Sequence, residues 1–158
     1  MSIKYISFLL LMLMAVCTSH AQQQTNMSKV TKTAECADLS VHAKLVDLNK
    51  ALESENYKLA FFYSGNVPSK ALMSVRLDCK AGERIAIKYV VGKNASRYQL
   101  NVIDPQVQHV VKAKAKTRGN ELTVVEESFT AKTDGVYVLV YSQTAKEENC
   151  IGLSVFKK

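Results

Sequence analysis

From Tyr57 to Phe156, apolar and polar residues alternate in short runs separated by turn chemistry, and that period of two constrains the fold more than any other feature. Met73, Val75, Leu77 and Cys79 share one parity, and Ser74, Arg76 and Asp78 the other. Ile85, Ile87, Tyr89 and Val91 repeat the pattern, as do Tyr98, Leu100 and Val102, and later Ile151, Leu153 and Val155. The breaks are Gly65-Asn66, Lys80-Ala81-Gly82-Glu83, Gly92 to Ser96, Pro105, Arg118-Gly119-Asn120, Thr133-Asp134-Gly135 and the polar stretch 144–149. Runs bounded in this way predict strands over 57–64, 71–79, 84–91, 97–104, 107–117, 122–131, 136–141 and 150–156. Val136 to Tyr141 is apolar on both faces, as a central strand requires. About eight strands at this spacing predict a mainly β protein, a jelly-roll-like antiparallel β-sandwich.

Residues 38–55 follow a different rule. Val41, Leu45, Leu48 and Leu52 recur at helical spacing and give one apolar stripe. Asp38 or Ser40 can cap the N-terminus, and Asn56 is a natural stop. His42 falls on the polar side of this helix. A single stripe has to be covered, so the helix is expected to pack on one face or end of the sandwich.

The first 21 residues read as an export signal. Lys4 is a lone charge, Phe8 to Val16 is a short apolar core, and Ser19 and Ala21 are the small residues that signal peptidase accepts. Cleavage near Ala21 is expected, leaving a flexible polar leader over 22–35 and a single domain over 36–158 in a secreted, periplasmic or cell-surface protein. Cys17 does not fit lipoprotein processing, because Val16 and Met14 occupy the places of a small residue and a leucine. No apolar run approaches the ~18–20 residues of a membrane-spanning helix. Loss of the signal removes Lys4 and no acid, so the formal charge of +7 falls by one. That basicity suits anionic surfaces or glycans, or simply solubility.

Removing the signal leaves Cys36, Cys79 and Cys150, an odd number in a chain bound for a disulfide-permissive compartment. If successive strands alternate in direction, Cys79 closes its strand at one end of the sandwich and Cys150 opens the last strand at the other. A bridge needs Cα atoms about 4.4–6.8 Å apart, which excludes that pair. The same alternation carries the helix start to the Cys150 end, so the expected bridge is Cys36–Cys150, with Cys79 a core-facing thiol.

Catalytic patterns are missing. There is no G-x-S-x-G, H-E-x-x-H, P-loop or EF-hand signature, and no cysteine spacing suited to zinc. His42 and His109 are isolated. A Cys79–His109 nucleophile pair is conceivable on residue type alone. Glu126 and Glu127 would point to opposite faces of a strand, and Asn101 with Asp104 is too sparse a set for calcium. The expectation is no enzyme, no metal and no cofactor.

The most distinctive surface feature is Lys112, Lys114 and Lys116, followed by Arg118. At period two the lysines line one strand face about 6.6 Å apart. Such a row can meet a sulfated or acidic glycan, and it can equally keep an edge strand from pairing with another chain. Nucleic acid is not expected, given export and the lack of aromatics among the lysines.

Several of these pieces also form a pattern. They are Leu77, Lys80-Ala81-Gly82, Arg84-Ile85 and Ile87; Tyr98, Leu100, Val102 and Asp104-Pro105; Phe129-Thr130-Ala131, Asp134-Gly135, Tyr137 and Leu139; and a closing Leu153-Ser154-Val155. The set resembles the bacterial pre-peptidase C-terminal domain and, more distantly, the GOLD domain, both compact sandwiches. It departs from them at Gln106, where those families place a glycine, and the 38–55 helix lies outside it. The resemblance implies a non-catalytic accessory domain, here standing alone. The expected function is therefore that of an exported binding protein for a glycan, an envelope component or a partner protein. The alternative is a small secreted inhibitor or chaperone of another exported enzyme, with the helix and the 65–70 segment as its contact.

Overall fold

A computed structural model describes Cys36 and residues 38–158. The expected signal peptide, Cys17 and most of the leader lie outside the described residues. The element order is α1 (Leu39–Ser54), then β1 (Lys58–Val67), β2 (Met73–Cys79), β3 (Arg84–Val91), β4 (Ala95–Ile103), β5 (His109–Lys116), β6 (Thr123–Thr130), β7 (Gly135–Ala145) and β8 (Asn149–Lys157).

The strands form two four-stranded antiparallel sheets. Sheet A runs β1-β8-β3-β6 and sheet B runs β2-β7-β4-β5. This is an eight-stranded jelly roll. Only β4 and β5 are both consecutive in sequence and paired; every other ladder joins strands distant in the chain. The Asp134-Gly135 turn, which reads as a hairpin, instead carries the chain from β6 in sheet A to β7 in sheet B. Its carboxylate accepts from Ala81 N–H at 2.8 Å and pairs with Lys80 at 3.1 Å, which ties it to the β2–β3 crossover.

Side-chain parity works as the alternation predicts. Val75, Leu77, Ile85, Ile87, Tyr89, Leu100, Val102, Leu139 and Leu153 meet between the sheets in one core. β7 and β8 are central, and β5 is an edge. Among the strand limits that differ from expectation, three have a visible cause. β1 continues through Gly65-Asn66 because these residues pair with Ile151 and Cys150. β7 continues to Ala145, since its last residues pair with the start of β4. β5 begins only at His109, because Val107 sits at φ 64 in the β4–β5 turn.

α1 lies on the outer face of sheet A. Val41 and Leu45 pack with Val90 and Cys150, and Leu52 packs with Ala86 and Phe156. Burying each of these aliphatic side chains contributes about 1.5–3 kcal/mol. Gly152 makes the approach possible: a Cβ there would stand 3.0 Å from Leu45 Cδ2 and 3.2 Å from Val41 Cγ1. Beneath the helix, Ser154 donates to buried Asn49 at 2.6 Å. Asp38 caps the N-terminus by accepting from Ser40 N–H at 2.9 Å, and Asn56 ends the helix at φ 65. His42 lies beside the apolar stripe and is half-buried; its ring meets Phe62 edge-on at 5.7 Å.

The Cys36–Cys150 disulfide is present, with its Cα atoms 5.5 Å apart. It fastens the segment before α1 to the start of β8, across a sequence separation of 114. Cys79 is free and buried at the opposite end of the sandwich. Among the described residues no helix is long and apolar enough to cross a membrane.

Candidate functional site

The two sheets differ in what covers them. The outer face of sheet A is roofed by α1, so β8 is buried on both sides along nearly its whole length. The outer face of sheet B has no such roof among the described residues. Its cross-strand rows follow from the register. Arg76, Val138 and Ile103 form one row, and Ser74, Val140, Asn101 and Lys112 the next. Ser142, Gln99 and Lys114 follow, then Thr144, Arg97 and Lys116.

The centre of this face is apolar and half-buried, with Val136, Val138 and Val140 on β7 and Ile103 on β4. Its margins are cationic: Arg76 on β2, Arg97 on β4, and Lys112, Lys114 and Lys116 on β5 stand against one carboxylate, Asp78. None of these five cations has a carboxylate within ion-pair distance among the described residues. Asn101 lies in the middle of the face, only 6% exposed. Its Oδ1 is buried and accepts no hydrogen bond. An acceptor left without any partner costs about 1–3 kcal/mol, and none of the described residues supplies one here.

The three lysines of the row are exposed on this face, and Arg118 lies in the turn just beyond it. The row runs into a cleft of about 840 Å³ at one end of the sandwich. Four loops build that cleft, those after β1, β3, β5 and β7. Lys70, Lys93 and Lys146 join Lys116 there, with Glu147 the one acid in the lining. These three lysines were invisible as a group in the sequence, where up to 76 residues separate them. The alternating strand direction that located Cys150 is the signal that could have found them, because it sends every second loop to the same end.

Buried polar contacts support this end. Gln143 donates to Val67 O at 2.9 Å, and Asn149 donates to Gln143 Oε1 at 3.0 Å and to Gly92 O at 3.2 Å. Tyr89 donates to Ser142 O at 3.1 Å, and burial pushes its hydroxyl pKa far above the ordinary phenol range.

Catalytic candidates do not assemble. Cys79 faces the core, where burial pushes its thiol pKa up, the wrong direction for a nucleophile. His109 is exposed at the start of β5. Asp104 Oδ1 accepts from Gln106 N–H and Gln108 N–H and so is spent on its turn. Among the described residues no group of three or more His, Cys, Asp or Glu could hold a metal ion. The 65–70 segment expected to form a contact loop is half strand, since Gly65 to Val67 belong to β1.

No protein-family model matches the chain, and no curated protein matches it. The pre-peptidase and GOLD likeness therefore extends to the sandwich and not to family identity. Among solved structures the chain is similar to PliG of Aeromonas hydrophila, a periplasmic inhibitor of g-type lysozyme, at 17% identity and a TM-score of 0.46. That match covers 66% of this chain and 90% of PliG. It is also similar to a carbohydrate-binding module of Cellvibrio mixtus lichenase 5A solved with cellotriose, at 8% identity and a TM-score of 0.34. That match covers 58% of this chain and 85% of the module. Likeness at these levels does not bear on what this chain binds.

Proposed function

We propose that the chain is an exported, non-enzymatic binding protein that captures an acidic partner protein on the open face of sheet B. The observation that carries this reading is the asymmetry of the sandwich: a disulfide-anchored helix covers one outer face, and among the described residues nothing covers the other. An apolar centre within a polar rim is the anatomy of a protein interface. The five cations against Asp78 call for a partner of negative potential. The face carries no Tyr, Phe or Trp on which a sugar ring could stack, which favours protein over glycan at this surface. Inhibition of an exported enzyme is one form this capture can take.

The test is recovery of a partner from native envelope and secreted fractions on the immobilised, disulfide-bonded chain. The wild type should retain one acidic protein in stoichiometric amount. Val138→Glu and Lys112→Glu/Lys114→Glu should each lose it, and Lys50→Gln on the exposed side of α1 should keep it. Retention that ignores both open-face variants would overturn the reading.

A further inference from the structure

The end cleft offers a different chemistry from the open face. Its lining interleaves lysines with hydroxyl and amide groups, among them Ser96, Thr117 and Asn120. It has no large apolar side chain to serve as an anchor, and lysine is depleted at the cores of protein interfaces. A lysine ammonium is a compact, hydrated point charge that suits a hydrated, flexible anion. The cleft's volume lies in the range of small-molecule sites.

The four loops are also held to one another, so the lysines project from fixed backbone. Lys70 takes a left-handed conformation at φ 64, and its N–H is bound to Gln143 O at 2.8 Å. Ala145 N–H donates to Ser69 Oγ at 3.0 Å, which pins the β1–β2 loop to the end of β7. Asn120 N–H reaches Lys93 O at 3.3 Å, and Thr117 N–H reaches Ser96 O at 3.0 Å. Ser96 Oγ in turn donates to Thr144 O at 3.1 Å. Among the described residues none of the four lysines is in an ion pair, although Lys93 is close enough to Asp38 to help lower that carboxyl's pKa. Like charges gathered on a rigid rim raise the local potential, which Glu147 offsets only in part.

We propose that this cleft binds an acidic oligosaccharide, whose carboxylate or sulfate groups are held by Lys70, Lys93, Lys116 and Lys146 while Thr117 and the neighbouring amides take its hydroxyls. This site is separate from the capture of a protein on the sheet face, although Lys116 borders both.

Titration calorimetry of the disulfide-bonded chain at low salt, with a tetragalacturonate and with a heparin-derived tetrasaccharide, tests it. At least one should bind, and raising the salt should weaken binding. The tighter of the two tells carboxylate from sulfate. Lys70→Asn/Lys93→Gln/Lys146→Gln should weaken binding about tenfold; asparagine is used at 70 because it tolerates the left-handed backbone. Lys112→Gln/Lys114→Gln, outside the cleft, should change affinity less than about threefold. An unchanged unfolding midpoint of each variant shows that the fold is intact. No binding of either sugar at millimolar concentration would overturn the proposal. So would a loss in the Lys112/Lys114 variant equal to that in the cleft variant. Loss of the captured protein in the cleft variant, with neither sugar bound, would assign the cleft to the protein interface instead.

Discussion

Asn101 sets a polar group where the packing of sheet B closes it off. Its neighbours along β4, Leu100 and Val102, face the core, so Asn101 faces out, yet the surrounding side chains bury it. Asn101→Val removes the unpaired acceptor and adds a strand-favouring side chain. The variant should melt about 2–6 °C higher by calorimetry. A lower melting temperature would mean that the amide is satisfied in solution. Sequence marked this residue only as too sparse a calcium ligand; its burial was not legible, because an amide on the outer parity of a strand reads as ordinary surface. Its register neighbours, Val140 on β7 and Lys112 on β5, come from distant parts of the chain. His42 is a parallel case: helical spacing put it outside the apolar stripe, and only the position of Phe62 on β1 decides that its ring is covered.

At the level of the elements, α1 has 16 residues with no acid in its first turn and no base in its last, and a helix of that length is marginal alone, so its tertiary contacts hold it. Gly152→Ala pushes a methyl group against Leu45 and Val41. It should cost about 1–3 kcal/mol in denaturant unfolding, while Gly119→Ala, whose Cβ meets nothing within 4 Å, should be nearly neutral. Cys36→Ser/Cys150→Ser should cost about 2–5 kcal/mol, read as a shift of the unfolding midpoint that reductant reproduces in the wild type. The cap adds a pH dependence. The Ser40 hydroxyl holds the Asp38 carboxyl below its ordinary range, against a smaller opposing effect of burial. The stabilisation is then present above the ordinary carboxylate pKa and is lost as pH falls through the folded value. Asp38→Ala should accordingly cost about 1 kcal/mol at neutral pH and less in acid. Element positions were largely legible in the sequence, because periods of 2 and 3.6 are local. Strand ends were less so: β1 runs past Gly65-Asn66 and β7 past Tyr141, where pairing with a distant strand outweighs local turn chemistry.

For the whole molecule, strand alternation sufficed to pair Cys36 with Cys150, but not to say which strands are neighbours. That is a property of long-range ladders with no local signature. The lysine row was legible because its spacing is local. The cleft beyond it was not, because its charges come from four separate loops. Nine of the eighteen described lysines and arginines, Lys112, Lys114 and Lys116 among them, lie on the open face of sheet B or at its cleft end. Lys112→Gln/Lys114→Gln/Lys116→Gln should therefore weaken retention on an anionic polymer at low salt, an effect that disappears in high salt. Unchanged elution would show that the row only shields the β5 edge. The ladder pattern has one more consequence, for biosynthesis. A chain emerging from the amino end has nothing for β1 to pair with until β8 emerges, and nothing for β2 until β7. The barrier to premature folding is thus written into the order of the strands. Sheet B and the β3–β6 ladder can form once β7 is made, but β1 and α1 have no finished sheet to settle on until β8 follows.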